Sequence, residues 1–313
     1  MLYSTENSIL QFVEDDLLKK YNVKLYIKRD DLIDSEVSGN KWRKLKYNIE
    51  QVKALKKNVL LTFGGAFSNH LLATASACSR SGIKSIGIVR GEELTTDSNE
   101  TLKRCHELGM ELHFVTRDIY RLRNDKMYQN DLNYEFPNSY IVPEGGAGFY
   151  GMIGCQEIIK EINVDFDAVI LAQGTTTTSC GILMALNEKA KLHVVPVLKN
   201  FESLGEMRNL LNYSLFDEEF TEELLEKVVV HDEYHFGGYA NYSDELIAFI
   251  KSYYQLHKIP LDQVYTGKVM YALYSEIEKG VFDNQTVVFI HTGGIQGTRF
   301  LKEKQGITLF KDI

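Results

Sequence analysis

Short apolar runs alternate with amphipathic segments along most of the chain. Runs typical of buried strands are NVLLTF, KSIGIV, ELHFV, NSYIVP, DAVILAQ, LHVVPVL and TVVFIHTGG. Patterns typical of helices are SNHLLATASACSRSG, SNETLKRCHELGM with Ser98 as its cap, GMIGCQEIIKEI and SCGILMALNEKA. Because apolar strands that alternate with helices are typical of parallel sheets covered on both faces, the pattern predicts an α/β fold.

The segment SGNKWRKL, residues 38–45, begins a predicted helix. Apolar residues at helical spacing indicate its buried face: Leu45, Ile49, Val52 and Leu55. Lys41 lies four residues before Leu45 and shares that face. Cations crowd the first turns, at Lys41, Arg43, Lys44 and Lys46, although a helix N-terminus favours anions. A bound anion would resolve this conflict, and a solvated basic turn is the alternative.

A second anion signal lies between a strand and a helix. The turn from Gly174 to Thr178 offers backbone N–H groups and four hydroxyls at a helix start, which suits a phosphate. The alternative is a threonine-rich cap that binds nothing. The turn is neither a Walker A loop nor a GxGxxG fingerprint, and this disfavours a dinucleotide site.

Composition narrows the class of protein. The chain has 313 residues, 44% of them hydrophobic, and a net charge of −8, which disfavours nucleic-acid binding. There is no signal-peptide pattern at the N-terminus and no apolar stretch near the roughly 20 residues that cross a bilayer. The cysteines Cys78, Cys105, Cys155 and Cys180 are widely spaced. We therefore expect a soluble, cytoplasmic chain with reduced cysteines and no metal site.

Six short motifs occur in order across nearly the whole chain: KRDDL, SGNKWRKL, GGAFSNH, GTTTT, VYTGK and HTGG. Together they resemble the pyridoxal-phosphate-dependent family of 1-aminocyclopropane-1-carboxylate deaminase and D-cysteine desulfhydrase. The resemblance implies an α/β fold of the tryptophan-synthase β-subunit type (fold type II), with pyridoxal 5'-phosphate between two domains. Residues 1–46 and 154–313 would form the large cofactor-binding domain, and residues 47–153 the small domain. A homodimer acting on a small amino acid is also implied.

The resemblance assigns roles to the motif residues. It implies catalytic roles for Lys41, Ser68, Tyr239 and Tyr265. It implies cofactor binding by Lys41, Lys44, Asn69, Gly174, Thr175, Thr177, Thr178, Thr266 and Thr292, and substrate binding by Ser68 and His70. In this assignment Lys41 forms the imine with the cofactor, Lys44 helps to hold the phosphate, and Asn69 contacts the ring hydroxyl. For His70, a packed or solvent-facing helix position is the alternative.

Three positions bear on the reaction. Thr266 and Thr292 carry hydroxyls where the ring-opening deaminases of the family carry Glu and Leu, and His70 stands where they tend to have Gln. These residues favour α,β-elimination of D-cysteine to pyruvate, hydrogen sulfide and ammonia, with Lys41 as the base. The alternatives are 1-aminocyclopropane-1-carboxylate deamination to α-ketobutyrate and ammonia, and elimination from D-serine or β-chloroalanine. A non-catalytic small-molecule-binding protein and a dinucleotide-dependent oxidoreductase are alternatives from other classes.

Overall fold

The computed structural model describes residues 4–310. Their strands are β1 (Leu10–Val13), β2 (Lys24–Lys28), β3 (Val59–Gly64), β4 (Lys84–Arg90), β5 (Met110–Val115), β6 (Ser139–Val142), β7 (Ala168–Gln173), β8 (Lys191–Pro196), β9 (Val228–Val230) and β10 (Thr286–Ile290). Their helices are α1 (Asp16–Lys20), α2 (Asn40–Ala54), α3 (Asn69–Ser81), α4 (Glu100–Glu107), α5 (Arg117–Arg121), α6 (Lys126–Glu135), α7 (Phe149–Lys160), α8 (Thr177–Ala185), α9 (Ser203–Leu215), α10 (Glu218–Leu225), α11 (Asp244–His257), α12 (Thr266–Glu278) and α13 (Thr298–Gln305). None of the helices between residues 4 and 310 is long and apolar enough to span a bilayer.

The larger sheet has six strands in the order β1-β2-β10-β7-β8-β9. Its pairs are parallel except for β1 with β2. Successive residues of β10 enter opposite cores, with Val287 and Phe289 on one face and Val288 and Ile290 on the other. This alternation follows the two-residue period of a strand and leaves both faces of the sheet covered.

The smaller sheet has four parallel strands in the order β5-β4-β3-β6. All four strands lie within residues 47–153, the predicted small domain. The predicted boundaries after residues 46 and 153 fall inside α2 and α7, so each of these helices would continue from one domain into the other. The division of the chain at these positions stays a prediction.

Glycines bring three helices into close contact. A Cβ atom on Gly154 of α7 would lie 1.8 Å from the carbonyl oxygen of Arg43 in α2. A Cβ atom on Gly181 of α8 would lie 2.4 Å from the carbonyl oxygen of Met152 in α7. Side chains other than hydrogen would push these backbones apart, so the glycines allow α2, α7 and α8 to pack tightly.

Most of the strand and helix predictions are confirmed, with shifts of a few residues at the ends. The cap at Ser98 is wrong, because Asn99 caps α4 and accepts the N–H of Leu102. Leu55 is also wrongly placed: it follows the last residue of α2 and is 55% exposed, whereas Leu45, Ile49 and Val52 are buried. The short strands β1, β2 and β9 were not predicted, since none carries a long apolar run.

Candidate active site

A cavity opens at the carboxyl ends of strands from both sheets. Its walls include Asn40, Lys41, Asn69, Tyr265 and Thr292. Asn69 follows β3 of the smaller sheet, and Thr292 follows β10 of the larger one. In open α/β sheets, ligands bind at such strand ends. Four of these five residues are predicted site residues, and the fold brings them to one place.

The four cations at the start of α2 divide into two kinds. Arg43 and Lys46 each form an ion pair with a carboxylate. Lys41 and Lys44 form no ion pair with any residue from 4 to 310, although Lys44 Nζ donates a hydrogen bond to Thr175 Oγ1 at 3.1 Å. Charges removed from water are normally paired, so Lys41, which lines the cavity, and the buried Lys44 next to it leave positive charge there without a carboxylate partner among the described residues.

This positive charge shifts the lysine pKa values. Burial, and then the charge of Lys44, lower the pKa of Lys41 to about 7. Burial also lowers the pKa of Lys44. A bound anion would favour the charged form of Lys44, while Lys41 exchanges its proton readily near neutral pH.

The turn after β7 presents free donors beside Lys44. Among the described residues, the backbone N–H groups from Thr175 to Ser179 have no acceptor. Two glycines pack closely against Lys44 and Thr175. A Cβ atom on Gly146 would lie 2.9 Å from Lys44 Cβ, and one on Gly145 would lie 3.2 Å from Thr175 Cγ2. These donors, the dipole of α8 and the Lys44 ammonium together suit a phosphate.

Besides Thr175, whose hydroxyl accepts from Lys44, the other two predicted threonines of the turn also have hydroxyls engaged by the protein. Thr178 Oγ1 accepts from Asn40 Nδ2 at 3.0 Å, which joins the start of α8 to the start of α2. Thr177 Oγ1 accepts from the N–H of Gly148 at 3.4 Å. These two residues therefore contribute backbone donors to the turn, while their hydroxyls position neighbouring segments.

The three residues of the SNH motif take different positions. Ser68 caps α3, where its Oγ accepts from the N–H of Leu71 at 3.2 Å. Asn69 lines the cavity. His70 is 3% exposed and does not line it. The backbone of the motif therefore begins α3 at the cavity, with only Asn69 directing a side chain into its wall.

The His70 ring is held in one tautomer. Its Nε2 lies 2.8 Å from Thr62 Oγ1, and that hydroxyl donates its single proton to the carbonyl of Val142. Nε2 must therefore carry the ring proton. Burial, and then the charges of Lys41 and Lys44, keep the pKa of His70 well below its usual value, so the ring is neutral. This packed position matches the alternative for His70, and contact between its side chain and a substrate stays a prediction.

The two predicted tyrosines meet near the threonine turn. A Cβ atom on Gly174 would lie 3.1 Å from Tyr265 Cε1, so the Tyr265 ring packs against the turn. Tyr239 is 53% exposed and meets Tyr265 edge to face, with ring centroids 6.1 Å apart. Burial, and then Tyr239, raise the pKa of Tyr265 well above its usual value. Its phenol stays protonated and can donate a hydrogen bond into the cavity.

The two predicted threonines differ in what their hydroxyls contact. Thr266 Oγ1 donates to Asp262 Oδ1 at 2.7 Å, and it accepts from the N–H of Asp262 at 2.9 Å. Asp262 is buried and also accepts three backbone N–H groups at the start of α12. Thr292 lines the cavity, and its hydroxyl has no hydrogen-bond partner among the described residues. Thr292, and not Thr266, thus offers a free hydroxyl to a ligand.

A buried ionic network behind the site was not predicted from the sequence. Asp30 of the KRDDL motif accepts from Arg43 Nε at 3.1 Å and from Arg43 Nη2 at 3.0 Å. Arg43 also donates to both oxygens of Glu161, which follows α7. The KRDDL motif is the sequence feature that could have identified Asp30. No local pattern marked Glu161, because its partners are distant in sequence.

Comparisons with known proteins identify the family of the chain. Residues 13–293 match the family model described as "Pyridoxal-phosphate dependent enzyme". The chain is 30% identical to a Pyrococcus horikoshii protein provisionally named 1-aminocyclopropane-1-carboxylate deaminase, over 90% of this chain and 88% of that one. It is also 30% identical to the mitochondrial bifunctional D-cysteine desulfhydrase/1-aminocyclopropane-1-carboxylate deaminase of Arabidopsis thaliana, over 87% and 73% of the two chains.

A solved structure gives the same result for the fold. The crystal structure of an ACC deaminase homologue superposes with a TM-score of 0.79 at 26% sequence identity. The match covers 97% of this chain and 94% of that one. The expected fold type is therefore confirmed over nearly the full length of both chains.

Proposed function

The chain belongs to the pyridoxal-phosphate-dependent enzyme family, and we propose that it is a lyase that eliminates hydrosulfide from D-cysteine. The products are pyruvate, hydrogen sulfide and ammonia. The observation that carries this choice of substrate is the free Thr292 hydroxyl in the cavity wall, close to the start of the helix that bears Lys41. In the ring-opening members that the sequence resembles, leucine stands at this position.

The residues of the cavity fit pyridoxal phosphate. The phosphate would lie against the N–H groups from Thr175 to Ser179 and the ammonium of Lys44. Lys41 Nζ would hold the cofactor covalently, since an amine with a pKa of about 7 is readily neutral and nucleophilic. Asn69 would hydrogen-bond the ring hydroxyl.

Lys41 supplies the base for the elimination. When bound, pyridoxal phosphate supplies an electron sink for the charge that develops at the substrate α-carbon. Lys41 Nζ, released when the substrate amine takes its place on the cofactor, would take the α-proton, because its lowered pKa lies close to the working pH. The C–S bond breaks and its electron pair leaves with sulfur as hydrosulfide. The released 2-aminoacrylate takes up water and gives pyruvate and ammonia, so hydrolysis concerns only the released product and the enzyme is a lyase.

Other residues orient the reacting groups. The Thr292 hydroxyl would hydrogen-bond the ring of the cofactor. The Tyr265 phenol, which keeps its proton, would donate to the leaving group or the cofactor from its place against the threonine turn. Ser68, at the start of α3, would place backbone N–H groups toward the substrate carboxylate. Tyr239 would close the cavity above Tyr265.

A second candidate is deamination of 1-aminocyclopropane-1-carboxylate to α-ketobutyrate and ammonia. The names of the Pyrococcus relative and of the crystallised homologue favour it. The Arabidopsis relative is named for both activities. The same residues would hold the cofactor in either case, so the choice depends on groups such as Thr292 that face the substrate.

A substrate panel tests the proposal. Purified protein loaded with pyridoxal phosphate is given D- and L-cysteine, D-serine, β-chloroalanine and 1-aminocyclopropane-1-carboxylate, and sulfide, pyruvate and α-ketobutyrate are measured. We expect kcat/KM to be highest for D-cysteine, and we expect Thr292→Leu to lower it by roughly tenfold, the worth of one hydrogen bond to the reacting system. A higher kcat/KM for 1-aminocyclopropane-1-carboxylate would show that the second candidate is correct. Turnover of no amino acid would favour a non-catalytic binding protein.

We further propose a cytoplasmic homodimer. The cytoplasmic location is supported by the four cysteines, which are all free and buried, as is usual in a reducing compartment. The dimer is supported by resemblance to the family alone. Light scattering coupled to gel filtration would measure a mass near twice 35.8 kDa if the proposal is correct.

A further inference from the structure

A cluster of side chains that could bind a metal ion lies outside the cofactor site, where β9 is followed by a 3₁₀ turn, Asp232–His235. Ligand atoms of His231, Glu233 and Glu276 all lie within 4.8 Å of one another. His231 and Glu276 are buried, whereas Glu233 is exposed and open to solvent. None of these residues belongs to the motifs of the cofactor site, so the proposed function leaves the cluster unexplained.

One nitrogen of His231 is occupied and the other is free. His231 Nε2 lies 2.9 Å from His193 Nδ1, and the two ring planes are 17° apart. Because these two ring nitrogens face each other at hydrogen-bond distance, one of them donates and the other accepts. A single proton then lies between the two nitrogens. When His231 donates it, His231 Nδ1 presents a lone pair toward Glu276.

The facing carboxylate has a free oxygen. Glu276 Oε1 accepts from the Tyr234 hydroxyl at 2.5 Å and from Lys279 Nζ at 2.7 Å. Glu276 Oε2 lies 3.9 Å from His231 Nδ1, which is too far for a hydrogen bond. Bonds from zinc to nitrogen or oxygen are about 2.0–2.2 Å, so two ligands of a tetrahedral zinc lie about 3.4 Å apart, and a small shift of the Glu276 carboxylate would bring the two acceptors to that separation.

We propose that His231 Nδ1, Glu233 and Glu276 bind one divalent transition-metal cation such as Zn²⁺. One imidazole and two carboxylates form a ligand set that such a cation takes, with water at the remaining position. With the metal bound, His193 Nδ1 would accept the hydrogen bond of His231 Nε2–H, as outer-shell partners of metal-bound histidines do.

The Lys279 ammonium would compete with a bound cation for the carboxylates of Glu276 and Glu233. Its Nζ lies 2.7 Å from Glu276 Oε1 and 4.0 Å from Glu233 Oε1. Its side chain is 56% exposed, so it can turn into solvent when a cation binds. Removing the ammonium should therefore strengthen metal binding, which distinguishes a metal site from a carboxylate pair that only serves the lysine.

Calorimetric titration of Zn²⁺ into the full-length chain loaded with pyridoxal phosphate tests the proposal. We expect one equivalent to bind. Glu233→Gln removes an exposed ligand without disturbing the core and should weaken binding at least tenfold. Asp232→Asn, its exposed neighbour outside the cluster, is the matched control and should bind like wild type. Lys279→Met should bind Zn²⁺ more tightly.

The outcome does not depend on variants of the buried residues. If the His231→Gln variant folds, it should not bind Zn²⁺. If it does not fold, the titration of Glu233→Gln, a variant at an exposed position, still tests the proposal. Wild-type protein that takes up no Zn²⁺, Glu233→Gln that binds like wild type, or Lys279→Met that binds more weakly would each overturn the proposal. Because the titration measures metal and not turnover, these results are independent of the substrate proposed above.

Discussion

At the scale of single residues, Lys41 and Lys44 stand apart from the other cations of α2 because no carboxylate among the described residues pairs with them. The Lys44 ammonium is buried and the Lys41 ammonium is half-buried, so the two neighbouring groups repel each other and lose hydration. A phosphate beside Lys44 would offset both costs. Lys41, with a pKa of about 7, can instead lose its proton.

Replacement of Lys44 by alanine should weaken pyridoxal phosphate binding by roughly tenfold or more, since a hydrogen bond to a charged group contributes about 1.5–3 kcal/mol. Titration of the cofactor into stripped protein, followed by absorbance, measures this. Lys46→Ala is the matched control, because Lys46 is paired with Glu157 at 2.6 Å and should leave the affinity nearly unchanged. Equal effects of the two substitutions would mean that α2 contributes only diffuse positive charge.

Covalent capture of the cofactor by Lys41 should accelerate as pH rises from about 6 to 8 and then level off, because only the neutral amine attacks the aldehyde and its pKa is about 7. The folded-state pKa is below the ordinary value of 10.5, so the neutral form appears at lower pH than in an exposed lysine. Borohydride trapping and peptide mapping across this range measure the rate at Lys41. A rate that rises only near pH 10 would contradict the lowered pKa.

At the scale of secondary-structure elements, close helix packing brings the two halves of the cofactor site together. The start of α2 bears Lys41 and Lys44, and the start of α8 follows the threonine turn. Helix α7 packs between them through glycine contacts with both. A small displacement of α2 would separate Lys44 from the donors of the turn.

Gly154→Ala should destabilise the protein by about 1–3 kcal/mol or more, since the added Cβ would lie 1.8 Å from a backbone oxygen of α2. Urea unfolding measures the loss, and cofactor affinity should fall with it. Gly205→Ala in α9 is the matched control. Its nearest neighbour would be 3.8 Å away, so the helix should gain about 0.5–1 kcal/mol. Similar stabilities of the two variants would argue against tight packing of α2 on α7.

At the scale of the whole molecule, Arg43 connects segments that are distant in the chain. It bridges Asp30, which follows β2, and Glu161, which follows α7, from its own position in α2. The network therefore joins the N-terminal part of the larger sheet to the helices that hold the site. Because Arg43 and Asp30 are fully buried, neither can exchange its partner for water.

Arg43→Met should cost about 3–5 kcal/mol in the free energy of unfolding, because it leaves Asp30 buried without its principal partner. Thermal unfolding of the cofactor-free protein measures this loss without interference from ligand binding. Arg208→Met provides the comparison: Arg208 pairs with Glu222 at the surface, so its loss should change stability little. A comparably small effect at Arg43 would indicate that water reaches the network.

Local sequence determined much of the architecture and part of the site. Buried parallel strands are continuous apolar runs, so β3, β4, β7, β8 and β10 could be located from residue type alone. Lys41 could be placed on the buried face of α2 because helical spacing depends only on position along the chain. The threonine turn was likewise visible, since backbone donors at a strand-to-helix junction arise from local geometry.

Tertiary structure decided which polar groups are satisfied by the protein itself. From the sequence, the four cations of α2 could not be told apart. In the structure, distant carboxylates pair with Arg43 and Lys46, whereas no carboxylate among the described residues pairs with Lys41 or Lys44. From the sequence Thr266 and Thr292 could not be told apart, yet in the described part of the chain the Thr266 hydroxyl is bonded to Asp262, whereas Thr292 lines the cavity and its hydroxyl has no hydrogen-bond partner. The partners of a buried side chain come from segments that meet only on folding. Periodicity along the chain therefore predicts which face of an element is buried, and the packed structure alone determines which charges and hydroxyls remain free to bind a ligand.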